Sequence, residues 1–178
     1  MTTNRTVLGK TALYLFPGTA LTVIAATWLL HVIDPLSHRL SYQQTDISIG
    51  GHTIRVELAD TPAKIQRGLM YRESLGQDSG MLFVYPAKKH LKFWMKDTSI
   101  PLSLAYIGND CRILEIRQLQ PHSTDTTRSN SPARLVLEMN QGWFDRNQVE
   151  VGDTIVLPLS MGVCKLGISY SRTPFDLV

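Results

Sequence analysis

Between residues 45 and 58 the apolar side chains fall on every second position. Ile47 and Ile49 alternate with polar neighbours, Gly50-Gly51 follow, and Ile54, Val56 and Leu58 alternate again. Successive side chains of a strand point to opposite faces, so the pattern fits a half-buried β-hairpin. Paired glycines supply the tight turn that joins its two strands. The strand signal continues along the chain. Residues 81–85 form an unbroken apolar run, as expected of a strand covered on both faces, and residues 91–95, 102–107, 112–119, 135–139 and 154–157 are further strand candidates. Gly108-Asn109-Asp110 reads as a turn, and the Ser- and Thr-rich stretch 121–132 as a surface loop. One helix start interrupts the series. Thr61 can cap free amides, Pro62 loses nothing in a first helical turn, and Ile65 and Leu69 then share a face. The expected fold is β-rich α+β: a compact, mostly antiparallel, barrel-like sheet with one or two short helices, preceded by a single transmembrane helix.

That helix is expected at residues 11–33, which contain no Asp, Glu, Lys or Arg. About twenty apolar residues of helix span the roughly 30 Å hydrocarbon core. Arg5 and Lys10 precede the run and Asp34 follows it. Positive charge stays on the cytoplasmic side, so residues 1–10 form a cytoplasmic tail and the rest is exported. A cleaved signal sequence is the alternative, with Val23-Ile24-Ala25 as a small-residue cut site, but the apolar run continues through Leu29, Leu30 and Ile33. The expected organisation is an anchor at 11–33, a polar linker at 34–44, a β-rich periplasmic domain at 45–159 and a C-terminal extension at 160–178. The expected location is the inner membrane, single pass.

Composition narrows the function classes. Among 178 residues, 43% are hydrophobic and 19% charged, which is ordinary for a globular protein. A net charge of +3, with no basic stripe or basic helix, gives no footprint for nucleic acid. Two cysteines, Cys111 and Cys164, exclude a dense disulfide framework and a C-x-x-C metal site. In an oxidising compartment an even count makes a Cys111–Cys164 disulfide a candidate, with two free thiols as the alternative.

The densest pattern is Gly68-Leu-Met-Tyr-Arg-Glu, then Gly80-Met-Leu-Phe-Val-Tyr, then Phe93-Trp-Met-Lys-Asp-Thr-Ser-Ile-Pro-Leu. With Leu137-Glu138, Gly142 and Gly152-Asp153 it resembles, over roughly residues 54–157, a bacterial and archaeal family known as domain of unknown function 192. The resemblance implies a fold and an exported location more than an activity. The family pattern has Asn where this chain has Asp97, and Asp where it has Ser103. A carboxylate essential at the latter position would be missing here, which counts against paired-carboxylate hydrolysis at that point.

Several residues in these motifs could carry chemistry. Alternation along a strand would place Trp94 and Lys96 on one face, opposite Phe93 and Met95. An aromatic plate beside a cation, with Asp97 next to it, makes a cradle for an anionic or sugar-like ligand; the ordinary alternative is a packed Trp and a solvated Lys. Glu138 faces away from Leu137 and Met139, alongside Val136. A carboxylate on a covered strand is expected to find a cation, with Arg72 first and Arg67 and Lys96 next, giving a structural ion pair or, with a raised pKa, a general acid or base. Met70, Met81, Met95, Met139 and Met161 could in principle bind Cu(I), but they lack ligand spacing and read as core filler, so no metal or cofactor is expected. No nucleophile elbow, P-loop, H-E-x-x-H or dinucleotide fingerprint occurs. The expected function is a membrane-anchored, non-catalytic binding module for an envelope protein or a small-molecule ligand. The alternative is a small envelope hydrolase using Glu138 with Lys96 or Arg72.

Overall fold

A computed structural model of the chain describes residues 40–164. The hairpin read from the alternation is present. β1 (Gln44–Ile49) and β2 (His52–Ala59) pair antiparallel with Ile47 opposite Ile54, and Gly50 and Gly51 both take positive φ at the turn. Thr61 caps α1 (Pro62–Arg67), its Oγ1 accepting from the Lys64 amide. Next come β3 (Ser79–Lys89), β4 (Lys92–Phe93), β5 (Leu102–Ile107), β6 (Ile113–Leu119), β7 (Thr127–Arg128) and β8 (Ala133–Asn140). A four-residue helix, α2 (Trp143–Arg146), β9 (Ile155–Val156) and a single 3-10 turn (Leu159–Met161) complete the described chain.

Seven strands form one curled sheet in the order β6-β5-β8-β3-β2-β1-β9, and β4 and β7 pair separately. The two end strands approach each other at one corner of this half-barrel. There Arg112 bridges Thr154, and the Ile113 amide donates to the Asp153 carbonyl at 2.8 Å. Cys111 and Cys164 are joined beside this seam, with Cα atoms 5.6 Å apart and a sequence separation of 53. All neighbouring strands are antiparallel except β2 and β3. A parallel pair needs a crossover of about a dozen residues or more, here 60–78, and that crossover brings α1 and the Gly68 motif over one face of the sheet.

Both faces are covered. One face gathers apolar side chains from all seven strands, with Trp143 and Phe144 of α2. The other gathers Met81, Phe83, Leu102, Leu104, Tyr106 and Val136 under the crossover and the loops around β4 and β7. All six residues of β5 are therefore buried. Strands β3 and β8 lie close together at Gly80, where a Cβ would meet the Glu138 carbonyl at 2.6 Å, so only glycine fits there.

Two strand readings differ from the outcome. The run at 91–95 is strand only at Lys92–Phe93, because the Met95 amide turns to the Ser123 carbonyl and Asp97 enters the left-handed region at φ 54°. The run at 154–157 is strand only at Ile155–Val156. Among the described residues no helix is long and apolar enough to cross a membrane. The expected anchor at 11–33 lies outside the described residues, as do residues 165–178 of the expected extension.

Candidate functional site

The face beneath the crossover holds a pocket of about 210 Å³. Its floor comes from the centre of the sheet: Glu138 of β8, Phe83 and Tyr85 of β3, and Leu102 of β5. One wall is α1 and the turn that follows it, from Ile65 to Met70. The other is Lys92, Phe93, Trp94, Met95 and Thr98. Gly68 ends α1 with φ 49°, a conformation that side chains rarely adopt, so it lets the chain turn directly over the Phe83 ring. The Gly68, Gly80, Trp94 and Glu138 motifs are thus far apart in sequence and converge on one cavity.

Glu138 is 4% exposed, between Met81 of β3 and Leu104 of β5 in register. Its carboxyl makes no hydrogen bond and no salt bridge among the described residues, and burial pushes its pKa from the ordinary 4.5 up to about 8. Among the described residues no cation pairs with it to offset that effect. A buried carboxyl without a partner stays protonated in neutral water, because desolvation penalises only its charged form. Beside it, Tyr85 is raised to about 12, first by burial and then by the negative charge of Glu138.

The expected cation partners are engaged elsewhere. Arg72 meets Glu57 of β2 through two parallel hydrogen bonds, Nη1 to Oε1 at 2.9 Å, and lies 5.5 Å from the Tyr42 ring centroid. The Glu138–Arg72 ion pair expected from sequence is therefore absent. The physical reason is local: Glu57 offers Arg72 a carboxylate without forcing the guanidinium through a covered sheet face. Arg72 instead fastens the crossover, and its carbonyl accepts from the Ser99 hydroxyl. Lys96 lies with Nζ 5.6 Å from the Trp94 ring centroid, so the aromatic–cation pairing is formed, but Lys96 is exposed and does not line the pocket. Asp97 also lies outside the pocket lining. It receives the Tyr71 hydroxyl at 2.8 Å and its carbonyl receives the Tyr71 amide at 2.8 Å. Asp and Asn both tolerate its left-handed backbone, which accounts for Asp97 standing where the family pattern has Asn.

Ser103 lies on the opposite face of the sheet from Glu138. Its hydroxyl donates to Gln118 at 2.7 Å and accepts from the Gly142 amide at 2.8 Å. It ties β5 to β6 and to the turn before α2, and does not reach the pocket. Tyr85, Lys92 and Thr98 line the pocket without having been singled out from sequence. Tyr85 follows Phe83 by two positions on one strand and Lys92 precedes Trp94 by two, so the period of two was the available signal. Among the described residues no group of three His, Cys, Asp or Glu side chains is placed to hold a metal ion.

A β-rich half-barrel with a carboxyl-floored pocket on one face defines the class of domain. Residues 45–157 match the DUF192 family, described as uncharacterised ACR, and the chain belongs to that family. Similar crystal structures include the following two. One is from Sinorhizobium meliloti, described as a proposed transcription regulator, at 35% identity and TM-score 0.63, covering 65% of this chain and 95% of that one. The other is a protein of unknown function from Novosphingobium aromaticivorans, at 32% identity and TM-score 0.64, covering 69% of this chain and 89% of that one. No curated protein matches the chain.

Proposed function

We propose that the chain is an exported binding module, held at the inner membrane through residues 11–33, whose pocket above Glu138 takes a small-molecule ligand. One observation carries this reading: a nine-tenths-buried carboxyl without a partner among the described residues lines a cavity that opens to solvent. Leaving a polar group unpaired in a covered sheet costs stability, and such arrangements cluster where function requires them. A concave site with aromatic and thioether walls around one buried carboxyl suits a small ligand better than a flat protein partner.

The rival is a small envelope hydrolase using Glu138 with Lys96 or Arg72. A carboxyl with a pKa raised to about 8 suits a general acid. Neither of those cations lines the pocket, however, and Arg72 is committed to Glu57; the cations at the site are the exposed Arg67 and Lys92 at its mouth. The regulator description belongs to the Sinorhizobium protein. Here the described helices have six and four residues, too short to lie in a DNA groove as a recognition helix does.

The test is recovery of the native ligand. The full-length chain is purified from its own membranes, denatured, and the released small molecules are identified by mass spectrometry. Wild type is expected to release a compound that a pocket-filling Met70→Trp variant does not. Identical release from both, or none from wild type at any growth stage, contradicts the proposal.

A further inference from the structure

Resting on the pocket reading above, the geometry points to an organic cation as its ligand: a protonated amine set against Glu138, on a body about the size of one six-membered ring. The floor decides the charge. Glu138 is the single ionisable carboxyl lining the cavity, and no guanidinium or ammonium of the described residues pairs with it. The positive charge that would let it ionise has to come from the ligand. The walls decide the rest. Phe83, Tyr85, Phe93 and the more exposed Trp94 line the same cavity as the carboxyl, and aromatic faces attract ammonium groups, most strongly where water is excluded. A cavity of about 210 Å³ exceeds the ~150 Å³ apolar cavity that accepts benzene.

Other ligand chemistries fit less well. An anion would meet a carboxyl and no buried cation. A sugar would leave several hydroxyls facing Phe83, Leu102 and Met95, because the buried Thr98 hydroxyl already donates to the Lys96 carbonyl and Gln66 stands exposed at the rim. Four other titratable groups surround Glu138: Tyr85 of β3, Tyr106 of β5, Lys92 of β4 and Arg67 of α1. Burial holds both tyrosines neutral in the working range. Arg67 and Lys92 are exposed, and Arg67 stacks on the Tyr71 ring at 4.4 Å, so both are screened by solvent at the mouth. On binding, the ammonium keeps its protons and the Glu138 carboxyl loses one to the buffer, so uptake of the cation releases a proton wherever Glu138 starts protonated.

Benzylamine and its neutral near-isostere benzyl alcohol are the probes. Binding is followed on the full-length chain in mild detergent through the methyl carbons of Met70 and Met95, both in the pocket wall. Benzylamine is expected to bind about tenfold more tightly than benzyl alcohol, and Glu138→Gln is expected to remove that preference while leaving the alcohol bound. Calorimetry of wild type in two buffers of different ionisation enthalpy should show proton release with the amine and none with the alcohol. Equal affinities, or an amine preference that survives in Glu138→Gln, overturns the cation inference and leaves the pocket reading standing. If neither compound moves the Met70 or Met95 signals, both readings fall.

Discussion

Replacing Glu138 by Gln should stabilise the domain, increasingly so as the pH rises. The unfolded carboxyl titrates near the ordinary 4.5 and the folded one near 8, so the folded state holds a proton that the unfolded state has released. Stability from this group is fully present below pH 4.5. It is lost as pH rises from 4.5 to about 8, and the loss is complete above that. Each pH unit in the interval is worth about 1.4 kcal/mol, so the full loss is roughly 5 kcal/mol, with roughly 3 already gone at pH 7. Water entering the open pocket lowers the measured figure. Gln keeps the shape and never ionises, so it escapes the loss. The assay is urea unfolding of the unit Ser41–Val178 at several pH values, followed by the fluorescence of the buried Trp143. The two proteins should agree within about 1 kcal/mol at pH 4.5, and the variant should lead by roughly 2 to 5 kcal/mol at pH 9. Every other titrating group cancels in the difference. A difference that stays flat from pH 4.5 to pH 9 would refute the reasoning, since it would mean that Glu138 ionises as easily folded as unfolded.

Three further outcomes are expected. Removing the Cys111–Cys164 bond with a double Ser substitution should lower stability by about 4 kcal/mol, the chain-entropy value for a loop of this length, and alkylation without reductant should label neither thiol of wild type. In a double-mutant cycle, Arg72→Met and Glu57→Gln should couple by about 1 kcal/mol, as suits a pair only partly buried, whereas Arg72→Met and Glu138→Gln should be additive. Alkaline phosphatase fused after Val178 should be active in a Gram-negative host if the domain is exported; a full-length, stable but inactive fusion would contradict that placement.

Alternation and turn chemistry made most of the sheet legible. Ile47, Ile49, Ile54, Val56 and Leu58 lie on the face that their spacing assigned, and Thr61-Pro62 opens a helix as its capping chemistry requires. The parallel β2–β3 pairing was not legible, because strand patterning carries no information on which strands become neighbours. That pairing matters most for function, since it brings the crossover above Glu138. The burial of Glu138 followed from the strand pattern, but its lack of a cation did not. Arg72 had two carboxylates within reach of the fold, and Glu57, on a strand read only for its apolar positions, was the one it met. The anion cradle expected at Trp94 and Lys96 assumed a strand that ends one residue earlier. The two side chains still stack, with Trp94 in the pocket wall and Lys96 outside the lining.

Among the described residues the Glu138 carboxyl has no partner at the floor of an open cavity, and its carboxyl carbon reports on that state directly. In protein labelled with carbon-13 at glutamate side chains, the signal absent from Glu138→Gln is followed from pH 4 to pH 10. A midpoint near 8 that falls when benzylamine is added is the predicted result. A midpoint near the ordinary 4.5, unmoved by the amine, would mean that the carboxyl is already solvated or paired, and would contradict the account.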